Sequence, residues 1–166
     1  QMQNKKILGI DPGYGRMGIA ILEKTVSGEK LLHSECFETS SKLPYHQRLF
    51  FVGEKISQII KEYGPNQLAI ETVLFSKNQK TAMQVAEARG VIIFIAIKHG
   101  LPIREFNPNQ IKLAVTGYGK GDKKQVVAMV EKLIKMPGKQ KRHDDEYDAI
   151  ACALTASAIS LSTKSF

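Results

Sequence analysis

Six acidic residues stand where apolar segments of the sequence begin or end, and theirs are the side chains a reaction would use. Asp11 closes the apolar string ILGI and runs into Pro12 and Gly13, which places its carboxylate at a strand tip beside a tight turn. Glu71 follows Leu68, Ala69 and Ile70 in the same way. Asp144, Asp145, Glu146 and Asp148 crowd the start of a long Ala-rich stretch. Each has an ordinary explanation. Asp before Pro-Gly is turn chemistry, a strand-end glutamate reaches water, and acids in a first helical turn favour the helix dipole by ~0.3 to 1 kcal/mol. Four acids nevertheless exceed what capping requires, and like charges this close repel. Asp145 and Asp148 lie one turn apart on one helix face. Asp144 also shares a face with Asp148, so the register between the two remains open. If Asp11, Glu71, Asp145 and Asp148 converge, they form an oxygen-only site suited to Mg²⁺ or Mn²⁺. Such a site holds two ions ~3.5 to 4 Å apart for in-line displacement at phosphorus.

The elements that must position these acids follow from periodicity. Residues 7–10 and 18–22 read as strands joined by the Asp11-Pro12-Gly13 turn, and residues 30–37 as a third strand at hairpin-like spacing. Leu49, Val52, Ile56, Ile59 and Ile60 recur at helical spacing, and Gly64-Pro65 stops that helix. Residues 67–70 form a short apolar strand, 81–97 a strongly apolar helix and 102–106 another strand. Residues 108–115 form a short helix, 117–121 a loop, 123–134 a helix and 145–161 a last, Ala-rich helix. The predicted architecture is α/β: a mixed five-stranded sheet with helices on both faces, whose functional residues gather at strand ends. At 166 residues the chain fits one domain, residues 1–166.

The charge balance names a partner class. A net charge of +8 and 24% charged residues in an otherwise ordinary globular composition favour a polyanion, and nucleic acid comes first. Lys120, Lys123, Lys124, Lys132, Lys135, Lys139, Lys141 and Arg142 face only Asp122 and Glu131 in their segment. A solvated lysine-rich helix face is the plain alternative. Cys36 and Cys152 lack metal-ligand spacing and read as buried thiols in a reducing compartment. The longest apolar run, residues 91–97, falls short of the ~20 residues a membrane span needs, so a cytoplasmic location is expected.

The strings ILGIDPGYGRMGIA, AIETVLFSKN, AEARGV, NQIKLAVTGYGKGDKKQV and DEYDAIACAL carry a resemblance. In order and spacing, from about Lys6 to Ser160, the chain resembles the RuvC family of Holliday junction resolvases, whose fold is ribonuclease H-like. The first string alone also resembles the phosphate loop of actin-like and sugar kinases, but those enzymes pair two related domains around nucleotide.

The resemblance implies a homodimer that binds four-way junction DNA and nicks two strands of like polarity with Mg²⁺, two ions per site, in concert with the RuvA and RuvB branch-migration machinery. By that similarity Asp11, Glu71, Asp145 and Asp148 are the catalytic metal-binding carboxylates. Lys112 and Lys123 match family lysines that act near the scissile phosphate and the DNA. Lys77 and Asn78 match residues suited to backbone phosphates, and Lys120 and Lys124 extend the same basic surface. Where the family commonly has an aromatic residue three positions after the glutamate this chain has Leu74, so Phe75 is the side chain expected to stack on bases at the junction centre. His143 matches a region where some members have a catalytic histidine, a position that Asp145 already fills here.

Apolar and small residues between Ala86 and Ile97 exceed one buried face, which suggests a dimer interface. Two other functions use the same residues differently. A ribonuclease H-like nuclease acting on RNA-DNA hybrid or other branched nucleic acid would need the same carboxylates. A junction-binding module without catalysis would need only the basic segment and leaves the acids unexplained.

Overall fold

Strict alternation along the strands decides which side of the sheet each acid faces. The computed structural model describes residues 4–72, 79–138 and 141–159. Strand β1 (Lys5–Asp11) pairs antiparallel with β2 (Arg16–Thr25), which pairs antiparallel with β3 (Gly28–Glu38). Helix α1 (Tyr45–Tyr63) leads to β4 (Gln67–Glu71), parallel to β1, and α2 (Gln79–Lys98) leads to β5 (Ile103–Phe106), parallel to β4. Helices α3 (Pro108–Thr116) and α4 (Lys123–Leu133), strand β6 (Ile134–Lys135) and α5 (Asp144–Ala158) complete the order. The sheet runs β5-β4-β1-β2-β3-β6.

The sheet has six strands where the sequence predicts five. Ile134, predicted as the last residue of a helix, and Lys135 leave α4 and pair parallel with Glu29 and Lys30 on the sheet edge. β-Branched Ile134 is extended (φ −118°, ψ 133°), and Pro137 and Gly138 then prevent any return to helix.

Leu8, Ile10, Met17, Ile19, Ile21, Leu68 and Ile70 point to one face and are covered by Val52, Ile56, Ile59 and Ile60 of α1 and Ile92 and Ala96 of α2. Ile7, Ala20, Leu22, Leu31 and Ala69 point to the other face and meet α3, α4 and α5. A period of two places Asp11 with Ile7 and Gly9, Glu71 with Ala69, and Arg16 with Gly18 and Ala20, all on the face that α5 covers. That face is built small. A Cβ on Gly9 would lie 2.2 Å from the Ala149 carbonyl oxygen, and one on Gly18 would lie 1.9 Å from that of Asp145. The glycines therefore let α5 lie directly on β1 and β2, with Ala149, Ala151, Ala153 and Ala156 buried along it. No helix among the described residues is long and apolar enough to cross a membrane.

Candidate active site

The α5 N-terminus lies over the tips of β1 and β4. Asp11, Asp145 and Asp148 each offer one oxygen, and the three oxygens lie within 4.8 Å of one another. Glu71 stands beside this group and shares the wall of a cavity of about 230 Å³ with Asp148, Lys112, Lys123 and Ile111.

The start of α5 sorts its four acids by direction. Glu146 is fully buried, accepts from Ser34 Oγ at 2.9 Å and from the His143 backbone N–H at 2.9 Å, and so fixes the helix start. The Asp144 side chain is 74% exposed and reaches only outward, to Lys123 Nζ at 3.4 Å. Asp145 and Asp148 turn inward to Asp11, so the geometry gathers Asp145, and not Asp144, with Asp148 and Asp11. His143 is exposed, and the gathered ligand atoms among the described residues are all carboxylate oxygens.

Electrostatics show how poorly this cluster tolerates its own charge. Burial pushes Asp11 from an ordinary 3.8 to about 8, with repulsion from Asp148, Glu71 and Asp145 adding to it. Burial, then Asp148, lifts Glu71 to about 7, against the opposing pull of Lys123 and Lys112. Burial also raises Asp148, although Lys123 Nζ at 3.2 Å resists the shift. The lysine in turn has a raised pKa: its own burial works against its charge, and Asp148 and Asp144 outweigh it. A partly buried, oxygen-only, over-negative donor set fits a hard divalent cation such as Mg²⁺ or Mn²⁺, which would replace the protons that Asp11 and Glu71 otherwise retain near neutral pH.

The basic residues are placed by capping. Asn107 and Gln110 form a capping box at the start of α3, with Pro108 at its first turn, and this sets Lys112 toward the cavity. Asp122 and Gln125 form a second box at α4 and place Lys123 on Asp148. Lys120 and Lys124 are exposed nearby on the same turn-helix unit. Leu74, Phe75, Lys77 and Asn78 lie outside the described residues. Cys152 is fully buried as expected, but Cys36 is only partly buried and lies with its Sγ 3.6 Å from Asp145 Oδ2. The expectation that both thiols are buried is thus corrected for Cys36, because its strand is next to the sheet edge and the start of α5 covers it incompletely.

Two neighbours of the site escaped the sequence reading. Arg16 donates from Nη2 to Asp145 Oδ2 at 2.6 Å, and Arg89 Nε reaches the Glu71 carbonyl oxygen at 3.3 Å. The signal for Arg16 was present: it stands two residues before Gly18, hence on the α5 face.

Comparison with known proteins decides the family. The family described as Crossover junction endodeoxyribonuclease RuvC matches residues 7–156. The chain belongs to the RuvC family. A RuvC relative from Thermosipho melanesiensis is 46% identical over 150 residues, covering 89% of this chain and 94% of its own length. One from Brachyspira hyodysenteriae is 42% identical, covering 89% and 90%. Among solved structures, Thermus thermophilus RuvC in complex with a Holliday junction substrate has a TM-score of 0.85 at 28% identity, covering 92% of this chain and 93% of that one. The fold is the ribonuclease H-like fold of the RuvC structures.

Proposed function

We propose that this chain is one ribonuclease H-like nuclease domain that resolves Holliday junctions by hydrolysing phosphodiester bonds in two strands of like polarity, in DNA recombination and repair. The observation that carries the reading is the meeting of Asp11, Asp145 and Asp148 oxygens within 4.8 Å, beside a cavity that also holds Glu71, Lys112 and Lys123. A protein of net charge +8 gathers its acids there for a purpose other than attraction to DNA, since carboxylates repel phosphate.

The proposed division of labour follows from the side chains. Asp11, Glu71, Asp145 and Asp148 would hold Mg²⁺, two ions per site, which would supply an activated water and offset charge on the scissile phosphate. Lys112, on the cavity wall, meets a phosphate oxygen as a point charge. Lys123 is held by Asp148 and Asp144 and stands at the cavity mouth for the adjoining phosphate. Lys120 and Lys124 continue the backbone track, with Lys77 and Asn78 as further phosphate contacts and Phe75 stacking on bases at the junction centre. The active unit is a homodimer, because a symmetric junction offers two equivalent strands to an isologous pair. RuvA and RuvB are the proposed partners of that dimer.

The test is cleavage of labelled four-way junction, RNA-DNA hybrid and plain duplex, each with Mg²⁺ and with EDTA. Paired, Mg²⁺-dependent nicks in the junction alone are the expected result. Equal cutting of all three substrates would remove the resolvase reading. Junction binding with no nicking in any metal would leave a binding module.

A further inference from the structure

Two of the gathered carboxylates are each fastened from outside by a cation. Lys123 holds Asp148, and Arg16 holds Asp145 at 2.6 Å. Arg16 is itself fixed from the other side: it is the cross-strand partner of Glu38, and its Nε lies 3.8 Å from Glu38 Oε1. The Cys36 thiol approaches the same Oδ2 at 3.6 Å. Glu38, Arg16, Asp145 and Asp11 thus form a chain running from the exposed sheet rim into the carboxylate cluster, since oxygens of Asp145 and Asp11 lie within 4.8 Å of each other.

We propose that Arg16 is a positioning residue that orients the Asp145 carboxylate for cation binding; the inference rests on the metal-site reading above. A carboxylate has about four acceptor positions on its two oxygens. Arg16 and Cys36 engage Oδ2 alone, so the Asp145 carboxylate can accept the guanidinium and still have capacity for an ion. Free rotation of an aspartate in a first helical turn would otherwise spread that oxygen over several positions. The planar guanidinium, hydrogen-bonded to Oδ2 at 2.6 Å and with Glu38 3.8 Å from its Nε, restricts this freedom. Its positive charge opposes a cation, but the Arg16 side chain is 54% exposed, so water screens the repulsion while the directional hydrogen bond persists. Orientation therefore outweighs repulsion, as for other groups that fix metal ligands from behind, whose loss weakens metal binding about 10 to 100-fold.

The experiment measures Mn²⁺ binding to the full chain without DNA, by electron paramagnetic resonance of the free ion, for the wild type and for R16A, R16Q and R16K. Junction affinity in EDTA is measured in parallel. R16A and R16Q are expected to weaken Mn²⁺ binding at least 10-fold. R16K should recover part of the loss, junction affinity should stay within about twofold, and thermal midpoints should stay within about 2 °C because the pair is exposed. Unchanged or tighter Mn²⁺ binding by R16A and R16Q would overturn the proposal and make Arg16 a competitor of the ion. Lost junction affinity with Mn²⁺ binding intact would overturn it in favour of a phosphate contact. A wild-type chain that binds no Mn²⁺ would refute the metal-site reading itself, an outcome separate from any difference among the variants.

Discussion

Asp11 is the side chain on which the charge of the cluster weighs most. Its carboxyl has an ordinary value of 3.8 and is pushed to about 8 by burial first and then by three neighbouring carboxylates. A group whose folded pKa is raised contributes stability in full only below its unfolded value and loses it as pH rises through the folded value. The metal-free protein should therefore lose stability between about pH 4 and pH 8. Asp11→Asn removes the cost of ionisation, of order a few kcal/mol. In EDTA at pH 8 the variant is expected to melt several degrees above the wild type, with a smaller gain at pH 5, while junction cleavage is lost. A thermal scan showing no gain at pH 8 would mean that Asp11 is not the strained group. The same shifts predict that Mg²⁺ displaces protons. Titration calorimetry at pH 6.5 in two buffers of different ionisation enthalpy should show net proton release, which fades above pH 8 once Asp11 and Glu71 are already ionised.

Helix α5 and strands β1, β2 and β4 turn scattered residues into a site, and most of that was legible beforehand. Asp11 and Glu71 end apolar strings, and the turn after ILGI and Asp places that carboxylate at a strand tip where the core ends. The α5 register was not legible, because both Asp144 and Asp145 share a face with Asp148. What decides it is burial of Glu146 against Ser34, a contact between residues 112 apart in sequence. Two-residue strand β6 was equally unreadable, since pairing so short leaves no periodicity and depends on the β3 edge being at hand. Arg16 follows from strand parity once Gly18 is known to face α5, but nothing in composition indicates which face that helix covers. The closeness of α5 gives a prediction of its own. Gly18→Ala places a methyl 1.9 Å from the Asp145 carbonyl oxygen, backbone that cannot give way without moving the helix start. Loss of at least about 2 kcal/mol in urea unfolding is expected. Cleavage should fall about 100-fold even at temperatures where the variant is folded, because a displacement near 1 Å misplaces Asp145. A variant that folds with unchanged rate would show that the site does not depend on this contact.

The dimer proposed above needs a surface that joins its two active sites, and the described residues offer a candidate. On α2, Met83, Glu87, Gly90, Phe94 and Ile97 recur at helical spacing and all are exposed, while Ile92 and Ala96 on the opposite side are buried. Phe94 is 66% exposed and Ile97 59%, large apolar side chains that a lone surface helix has no use for in water. Gly90 sits midway along the stripe with open space around it, which would let a second helix approach closely. A second copy meeting this stripe about a two-fold axis would direct both carboxylate clusters to symmetric strands. Phe94→Glu puts a charge at the centre of such a contact, so sedimentation should find the wild type dimeric at micromolar concentration and the variant monomeric. The carboxylates lie on the opposite sheet face and stay intact, so each monomer retains its chemistry and loses only its coordination. On a supercoiled plasmid extruding a cruciform, the wild type should produce linear product directly, whereas the variant should accumulate nicked circles before any linear form. Direct linear product from a monomeric Phe94→Glu protein would place the coupling of the two cuts somewhere other than α2.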